Sequence, residues 1–216
     1  MRIIALADMH GNTRHLKTIA HDLHTADVVL LVGDLATFRY DAAVEVIEAV
    51  RAYNDRLLAV PGNCDEPRLS AFLSDEGINL DGGMAIIDDV AFAGLGGSLP
   101  CPIKTPNEYT EAELEATLKR AIADLPLDMV HVLVSHQPPF DTVTDLANTR
   151  EHVGSKAVRS TIVRLQPLAC FTGHIHEGRG MDNIGHTKIV NPGPFWEGTY
   201  AYAEIDGQLE TLEIRG

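Results

Sequence analysis

Seven side chains of metal-ligand type share one placement in this sequence, because each follows the end of a short apolar run. They are Asp8, His10, Asp34, Asn63, His136, His174 and His176. Three of them offer oxygen donors and four offer imidazole nitrogens, a mixture that suits manganese, iron, zinc, nickel or cobalt better than calcium or magnesium. Seven ligands are too many for one catalytic ion that keeps an open position. The set therefore predicts two divalent transition-metal ions that share Asp34, with manganese favoured.

Two of the ligand pairs are spaced two residues apart, Asp8 with His10 and His174 with His176. In an extended chain, side chains at this spacing point to the same side. Either pair alone is more often a set of surface or loop residues that only form hydrogen bonds. The recurrence of ligands after five separate runs is what favours a metal site.

The apolar runs themselves have the length and composition of buried strands. They are RIIALA (2–7), VVLLV (28–32), LLAV (57–60), VHVLVS (130–135) and LACFT (168–172). Segments with helical periodicity lie at 14–24, 41–53, 111–125 and 155–166, and Thr110 and Ser155 are the expected N-caps of the last two.

Strands that alternate with helices predict a largely parallel sheet. The carboxyl ends of such strands form the edge where ligands bind in open α/β sheets. The segment 85–97 predicts a hairpin around Asp88-Asp89, and the tail after residue 187 predicts antiparallel strands with a turn at Asp206-Gly207. We expect one domain over residues 1–216.

The composition describes an acidic, ordinary globular chain of 216 residues with a formal net charge of −14. Such a surface repels nucleic acid and anionic membranes, so we expect no dedicated nucleic-acid binding and no membrane association. A small phosphate ester is not excluded, because bound cations reverse the local field. The three scattered cysteines and the short apolar stretch before Asp8 predict a cytoplasmic protein. A homo-oligomer is left open.

The order of the motifs, D-x-H, GD, GN-x-[DE], H and GH-x-H, resembles the calcineurin-like metallophosphoesterase superfamily over residues 8–176. GNCD and the segment HVGSKAVRSTIVRLQP are similar to small prokaryotic phosphoesterases of that group. The resemblance implies an α/β fold, a four-layer α/β/β/α sandwich of two mixed sheets flanked by helices, with a dinuclear site at the strand carboxyl edge. It also implies two ligand sets, one of Asp8, His10, Asp34 and His176, the other of Asp34, Asn63, His136 and His174.

Two such ions would clamp a phosphoryl oxygen and supply a bridging hydroxide for in-line attack on phosphorus. We therefore expect a phosphoester hydrolase, foremost a phosphodiesterase on small substrates. A phosphomonoesterase acting on a nucleotide or sugar phosphate is the alternative. An inactive protein-binding scaffold of the same fold is a third reading, which the retention of all seven ligand positions disfavours. The residues expected to act in catalysis are Asp34, Asn63, Cys64 and His136.

Cys64 occupies the position after Asn63 where many members of the superfamily carry a histidine held to protonate the leaving group. Nearby cations lower the pKa of a thiol, and a thiolate cannot donate a proton. On that reading, we expect weak activity on leaving groups that need protonation and better activity on aryl phosphodiesters. Two other readings stay open, a small residue that fits a tight loop and a thiol that is redox-sensitive or contacts the metal.

Four further residues are candidates for supporting roles. Asp65 is expected to hold its own loop or to orient His10, as carboxylates beside metal ligands do. Asn12, His152 and Arg179 are candidates for contacts to the substrate phosphate. Each also has an ordinary interpretation: Asn12 as a helix cap, and the other two as loop residues.

Overall fold

Two β-sheets stack face to face, and helices cover the outer face of each. The computed structural model describes residues 1–216. The strands are β1 (Arg2–Leu6), β2 (Val28–Val32), β3 (Leu57–Val60), β4 (Met84–Ile87), β5 (Val90–Leu95), β6 (Val130–Ser135), β7 (Ala169–Thr172), β8 (Gly180–Ile184), β9 (Thr187–Asn191), β10 (Tyr200–Asp206) and β11 (Gln208–Arg215). The helices are α1 (Ala20–Thr25), α2 (Tyr40–Arg51), α3 (Arg68–Asp75), α4 (Glu111–Ala121) and α5 (Lys156–Leu165).

Both sheets are mixed. The first has the order β11-β10-β1-β2-β3, and the second has the order β4-β5-β6-β7-β9-β8. Strands β1, β2 and β3 run parallel to one another, and β10 is antiparallel to both β1 and β11. In the second sheet, β5, β6, β7 and β9 are parallel, and β4 and β8 are antiparallel edge strands. The predicted four-layer sandwich is confirmed.

Alternation along the strands divides the apolar side chains between separate cores. In β1, Ile4 and Leu6 join the cluster that lies under the helices, and Ile3 and Ala5 join the cluster between the sheets. Neighbouring strand residues point to opposite faces of a sheet, so a strand buried on both sides reads as a continuous apolar run. A third cluster lies between the second sheet and helices α4 and α5. These continuous runs are the signal that located the strands in the sequence.

Local hydrogen bonds explain where the helices begin. Thr110 forms a capping box with Glu113 at the start of α4, and the Ser155 hydroxyl accepts from two backbone N–H groups at the start of α5. Both predicted caps are therefore confirmed. None of the helices is both long enough and apolar enough to span a lipid bilayer.

The helix predicted over 14–24 is largely wrong, because α1 begins only at Ala20. Residues before it form turns with short-range bonds such as Thr18 N–H to the His15 carbonyl, 3.0 Å. The side chains of Arg14 and His15 both bond the Trp196 carbonyl, which ties this segment to a distant loop. Helix α3 and strand β8 carry no clear signal in the sequence.

The carboxyl ends of β1, β2, β3, β6 and β7 meet at one edge of the sandwich. The Asp8 N–H donates to the Gly33 carbonyl at 3.1 Å, which joins the ends of β1 and β2. The His174 N–H donates to the Asp8 carboxylate at 3.0 Å, which joins the two sheets. This edge therefore collects the side chains that follow the strands.

Candidate metal centre

Four candidate ligands have left-handed backbone conformations. The φ angles are 52° at Asp8, 46° at His10, 52° at Asp34 and 67° at His174. Non-glycine residues in this region are uncommon, and such a residue typically costs ~1–3 kcal/mol that the surrounding fold must offset. Each lies in the turn that follows a strand, where the chain reverses and the side chain is aimed across the sheet edge.

Two glycines make room for this arrangement. Gly33 has a φ of 85°, and a Cβ there would lie 2.3 Å from Nδ1 of His136. A Cβ on Gly62 would lie 2.0 Å from Oδ1 of Asp34. Any larger residue at either position would displace a candidate ligand, so the GD and GN motifs need their glycines for steric reasons.

His136 is fully buried, and its surroundings assign its tautomer. Nδ1 lies 2.8 Å from the Val32 carbonyl, which can only accept, so Nδ1 carries the proton and Nε2 has a free lone pair. Nε2 lies 2.9 Å from Oδ1 of Asn63 and 3.5 Å from Oδ1 of Asp34. In the neutral ring that a metal ligand requires, three acceptor atoms therefore converge here.

The Asn63 amide orientation follows from the contacts of its nitrogen. Nδ2 lies 3.1 Å from Oγ1 of Thr105 and 3.4 Å from Sγ of Cys64, so Oδ1 faces His136. Lone pairs that converge in a buried site repel one another unless a cation lies between them. The residues on this side therefore fit a divalent metal ion.

A second group of donors lies around His10. The ligand atoms of Asp8, His10 and His176 all lie within 4.8 Å of one another, and so do those of Asp8, Asp34 and His136. Nε2 of His10 is buried without a hydrogen-bond partner. It lies 3.6 Å from Oδ2 of Asp34, and its other ring nitrogen contacts the Thr37 hydroxyl at 2.8 Å. An orphaned ring nitrogen beside a carboxylate also fits a metal ligand.

His174 stands apart from these groups. Its ring centroid lies 5.2 Å from that of His136, and its Nε2 lies 3.7 Å from Sγ of Cys101. Burial, with a smaller contribution from His136, lowers the pKa of His174 to about 3, so the imidazole is neutral near pH 7. A neutral ring has the lone pair that a metal ligand requires. The ligand role of His174 stays a prediction.

Asp8 and His176 shift each other's protonation. Nε2 of His176 lies 3.6 Å from Oδ1 of Asp8. Burial raises the pKa of Asp8, but His176 and the other histidines more than offset it, so the carboxyl pKa is lowered. Burial lowers the pKa of His176, yet the contact with Asp8 outweighs it and the pKa is raised. The pair therefore favours an ionised carboxylate at the site.

Asp65 fastens two loops and has no contact with His10. Its buried carboxylate accepts from the backbone N–H groups of Leu35, Ala36 and Gly62 at 3.2, 2.9 and 2.8 Å. The turns after β2 and β3 are thereby held together. Of the two expected roles, loop fastening agrees with these contacts, whereas Thr37 is the residue that orients His10.

Cys64 lies at the centre of the donors. Its N–H donates to Oδ1 of Asp34 at 2.8 Å, and its half-buried Sγ belongs to a group with His10 and Asp34 whose ligand atoms lie within 4.8 Å of one another. Burial and the Asp34 carboxylate raise the pKa of the thiol. This shift is opposite to the one expected from bound cations.

The three candidate substrate contacts are occupied within the chain. Oδ1 of Asn12 accepts from the Arg14 N–H at 3.1 Å, which forms a turn and caps no helix. Arg179 pairs with Glu197 at 3.0 Å. Nδ1 of His152 lies 2.7 Å from Oδ1 of the buried Asp145.

Several residues that support the site carry no signal in the sequence. The Trp196 ring is tilted against His10 and edge-to-face with His176, at centroid distances of 5.1 and 4.7 Å, which makes it a wall of the site. Asn191 Nδ2 donates to the Ile175 carbonyl at 2.8 Å and holds the turn that contains His174. Asn107 Nδ2 donates to the Gly62 carbonyl at 2.8 Å. The partners of these residues are distant in sequence, so no local pattern pointed to their roles.

The chain matches the family model of the calcineurin-like phosphoesterase superfamily domain over residues 1–208. The uncharacterized protein MJ1162 of Methanocaldococcus jannaschii is 37% identical over 200 residues, which cover 90% of this chain and 88% of that protein.

Solved structures with little sequence identity share the fold. TT1561 of Thermus thermophilus has a TM-score of 0.76 at 21% identity, covering 100% of this chain and 98% of its own. An archaeal phosphodiesterase has a TM-score of 0.52 at 18% identity, covering 100% and 99%. A 5'-nucleotidase of Candida albicans has a TM-score of 0.58 at 13% identity, covering 94% of this chain and 47% of its own.

Proposed function

Because the chain belongs to the calcineurin-like phosphoesterase superfamily, we propose that it hydrolyses small phosphodiesters with two divalent transition-metal ions. The observation that carries this proposal is the close approach of Nε2 of His136, Oδ1 of Asn63 and Oδ1 of Asp34. The orphaned Nε2 of His10 supports it from the other side of Asp34.

We assign the ligands as the sequence predicts. Asp8, His10, Asp34 and His176 would hold one ion, and Asp34, Asn63, His136 and His174 would hold the other. When bound, two such ions supply Lewis-acid stabilisation of phosphoryl charge and an activated water at neutral pH. Asp34 lies within 3.6 Å of both His10 and His136, which suits it to bridge the two positions.

The chain's own residues would keep the donors in place during turnover. The Val32 carbonyl fixes the proton on Nδ1 of His136, Thr37 orients the ring of His10, and Thr105 orients the amide of Asn63. Phosphoryl transfer depends mainly on positioning and charge stabilisation, so little covalent work falls to side chains. No phosphorylated side chain is part of the proposed reaction.

Charge favours a diester over a monoester. A diester carries one negative charge and a monoester up to two, and the chain has a net charge of −14. Arg179 at the rim is paired with Glu197, so it adds no free cation for a second phosphate charge. The monoesterase reading is the alternative, and the 5'-nucleotidase among the fold neighbours supports it. Since the three cysteines are unpaired, we also propose that the protein acts in the reducing cytoplasm.

His152 is the substrate contact that we propose to test first. The hydrogen bond to Asp145 raises its pKa, which favours the cationic ring near neutral pH. Its loop packs on the turn that carries His176, where the Asn148 N–H donates to the Glu177 carboxylate at 2.9 Å. A His152→Asn variant is then expected to raise KM with little change in kcat.

The direct test compares bis(p-nitrophenyl) phosphate with p-nitrophenyl phosphate on protein stripped by a chelator. We expect no hydrolysis until Mn²⁺, Fe²⁺, Zn²⁺, Ni²⁺ or Co²⁺ is added, and then faster hydrolysis of the diester. Faster hydrolysis of the monoester would favour the alternative. Bound metal with no hydrolysis of either ester would favour an inactive protein-binding scaffold and contradict the proposed enzyme activity.

A further inference from the structure

One group of donors combines nitrogen, oxygen and sulfur. Ligand atoms of His10, Asp34 and Cys64 all lie within 4.8 Å of one another. Nε2 of His10 in this group is buried and has no hydrogen-bond partner, and it lies 3.6 Å from Oδ2 of Asp34. The group is therefore a partly built metal site with one nitrogen that lacks any other role.

The sulfur is held at this site by main-chain bonds on both sides of it. The Cys64 N–H donates to Oδ1 of Asp34 at 2.8 Å, and the Cys64 carbonyl accepts from the Phe38 N–H at 2.9 Å. Nδ2 of Asn63 points at Sγ from 3.4 Å. The loop therefore fixes the thiol against the shared carboxylate.

We propose that Cys64 is a sulfur ligand of the ion held by His10 and Asp34, which biases the centre toward zinc or cobalt over manganese. The proposal rests on the metal centre of the proposed function. On binding, the thiol proton leaves to solvent, and the sulfur lone pair forms the bond to the ion. Thiolate is a soft ligand that prefers zinc and cobalt to the harder manganese ion. This preference differs from the manganese expected from the sequence.

Cys101 provides a matched control within the same site. Its Sγ lies 3.7 Å from Nε2 of His174, but it also contacts Oγ of Ser98 and the Leu99 carbonyl at 3.4 Å. It belongs to none of the three ligand groups. Both cysteines are half-buried and unpaired, so the two thiols differ mainly in their access to a carboxylate and an orphaned imidazole.

The test is the near-ultraviolet absorption of protein loaded with Co²⁺ alone. A thiolate bonded to Co²⁺ gives an intense sulfur-to-metal charge-transfer band, whereas imidazole and carboxylate ligands give only weak visible bands. We expect the band in the wild type and in Cys101→Ser, and its loss in Cys64→Ser. Visible bands without a charge-transfer band in the wild type would overturn the sulfur ligand alone. A wild type that binds no Co²⁺ would overturn the metal centre as well.

Two further measurements keep the proposal open to refutation if Cys64→Ser folds poorly. In the wild type, bound Co²⁺ or Zn²⁺ should protect Cys64 from alkylation and should protect Cys101 less, which peptide mapping of the alkylated protein measures. Equal labelling of Cys64 with and without metal overturns the proposal. In competition between Zn²⁺ and Mn²⁺, Cys64→Ser should lose most of the wild-type preference for Zn²⁺, because the soft thiolate ligand is gone. An unchanged preference overturns it.

Discussion

His10 follows a strand of the first sheet and His136 follows a strand of the second, and their surroundings differ. His136 is fully buried, and both of its ring nitrogens have close contacts, to the Val32 carbonyl and the Asn63 amide. His10 is half-buried, and its Nε2 has no partner. One histidine is part of the packed interior, whereas the other is held by the Thr37 hydroxyl and by ring contacts with Trp196 and His176.

This contrast separates two ways of building a metal ligand. On the His136 side, the protein core fixes the ring whether or not a metal is present, so the ring also contributes to folding. On the His10 side, the ring is oriented but its Nε2 has no hydrogen-bond partner, so this nitrogen gains a favourable interaction mainly when a cation binds. Side-chain changes on the two sides should therefore have different ratios of stability loss to metal loss.

The largest effect is expected from Asp34→Asn, since Asp34 touches both sides. An amide cannot offer the shared charge of a carboxylate, so both ions and essentially all turnover should be lost. Metal content per chain and diester hydrolysis measure this, with the exposed Asp124→Asn as a charge-matched control. Retention of two ions in Asp34→Asn would refute the bridging assignment.

Acid should destabilise the metal-free protein through the His136 side. The pKa of His174 is about 3 in the fold, and an exposed histidine titrates near 6.5. Between these values His174 binds a proton in the unfolded chain that it does not bind in the native state, so its contribution to stability falls as the pH drops from 6.5 toward 3. The total is several kcal/mol, since a tenfold change in proton affinity is worth about 1.4 kcal/mol. Burial and Asp34 raise the pKa of Asp65 to about 7, and that shift contributes with the opposite sign.

Denaturant unfolding at several pH values measures this slope. His174→Asn should flatten it, because asparagine tolerates the left-handed backbone and does not titrate. His176 has the opposite sign: its raised pKa contributes stability below pH 6.5 that is lost as the pH rises through its folded value. A slope that is unchanged in His174→Asn would contradict the buried neutral ring.

A pair of matched variants tests the difference between the His10 and His136 sides directly. In metal-free protein, His136→Asn should lower the free energy of unfolding by ~2–4 kcal/mol, because it removes a buried ring and leaves the Val32 carbonyl unpaired. His10→Asn should cost less than ~1 kcal/mol, because it removes an atom that was already unsatisfied. Both should reduce metal content. Equal stability losses in the two variants would remove the distinction between the sides.

Smaller effects are expected at the hydroxyls that aim the ligands. Thr37→Val removes the contact to His10, and Thr105→Val removes the contact to the Asn63 amide, each with nearly unchanged volume. Loss of such an outer partner typically costs ~10–100-fold in metal affinity. Isothermal titration with Zn²⁺ measures it, and an affinity within twofold of the wild type in either variant would contradict its orienting role.

The smallest effect is expected for Cys64→His, which places a proton donor beside the leaving group. The rate ratio of alkyl to aryl diesters should rise, because alkyl leaving groups need protonation more. An unchanged ratio would count against the role of this position in leaving-group protonation.

Much of the fold could be predicted from the sequence, because the relevant signals lie within short segments. The continuous apolar runs located β1, β2, β3, β6 and β7, and the residue that follows each run identified the candidate ligands. Thr110 and Ser155 marked helix starts through their own side chains. The prediction of a helix over 14–24 was wrong, because hydrogen bonds from this segment to the distant Trp196 carbonyl compete with the helical pattern.

The contacts that orient the candidate ligands could not be predicted from the sequence, because they join residues that lie far apart in it. Thr37 meets His10 across 27 positions, and Thr105 meets Asn63 across 42. Cys101 meets His174 across 73 positions. No local pattern encodes such pairings, so the residues that aim the ligands emerge only from the packed sheets.

Anomalous scattering from crystals grown with Zn²⁺ or Mn²⁺ tests the central claim most directly. The account predicts two peaks on either side of the Asp34 carboxylate. One would lie within bonding distance of Asp8, His10 and His176, and the other within bonding distance of Asn63, His136 and His174. A single peak, or none at this edge of the sheets, would contradict a dinuclear centre.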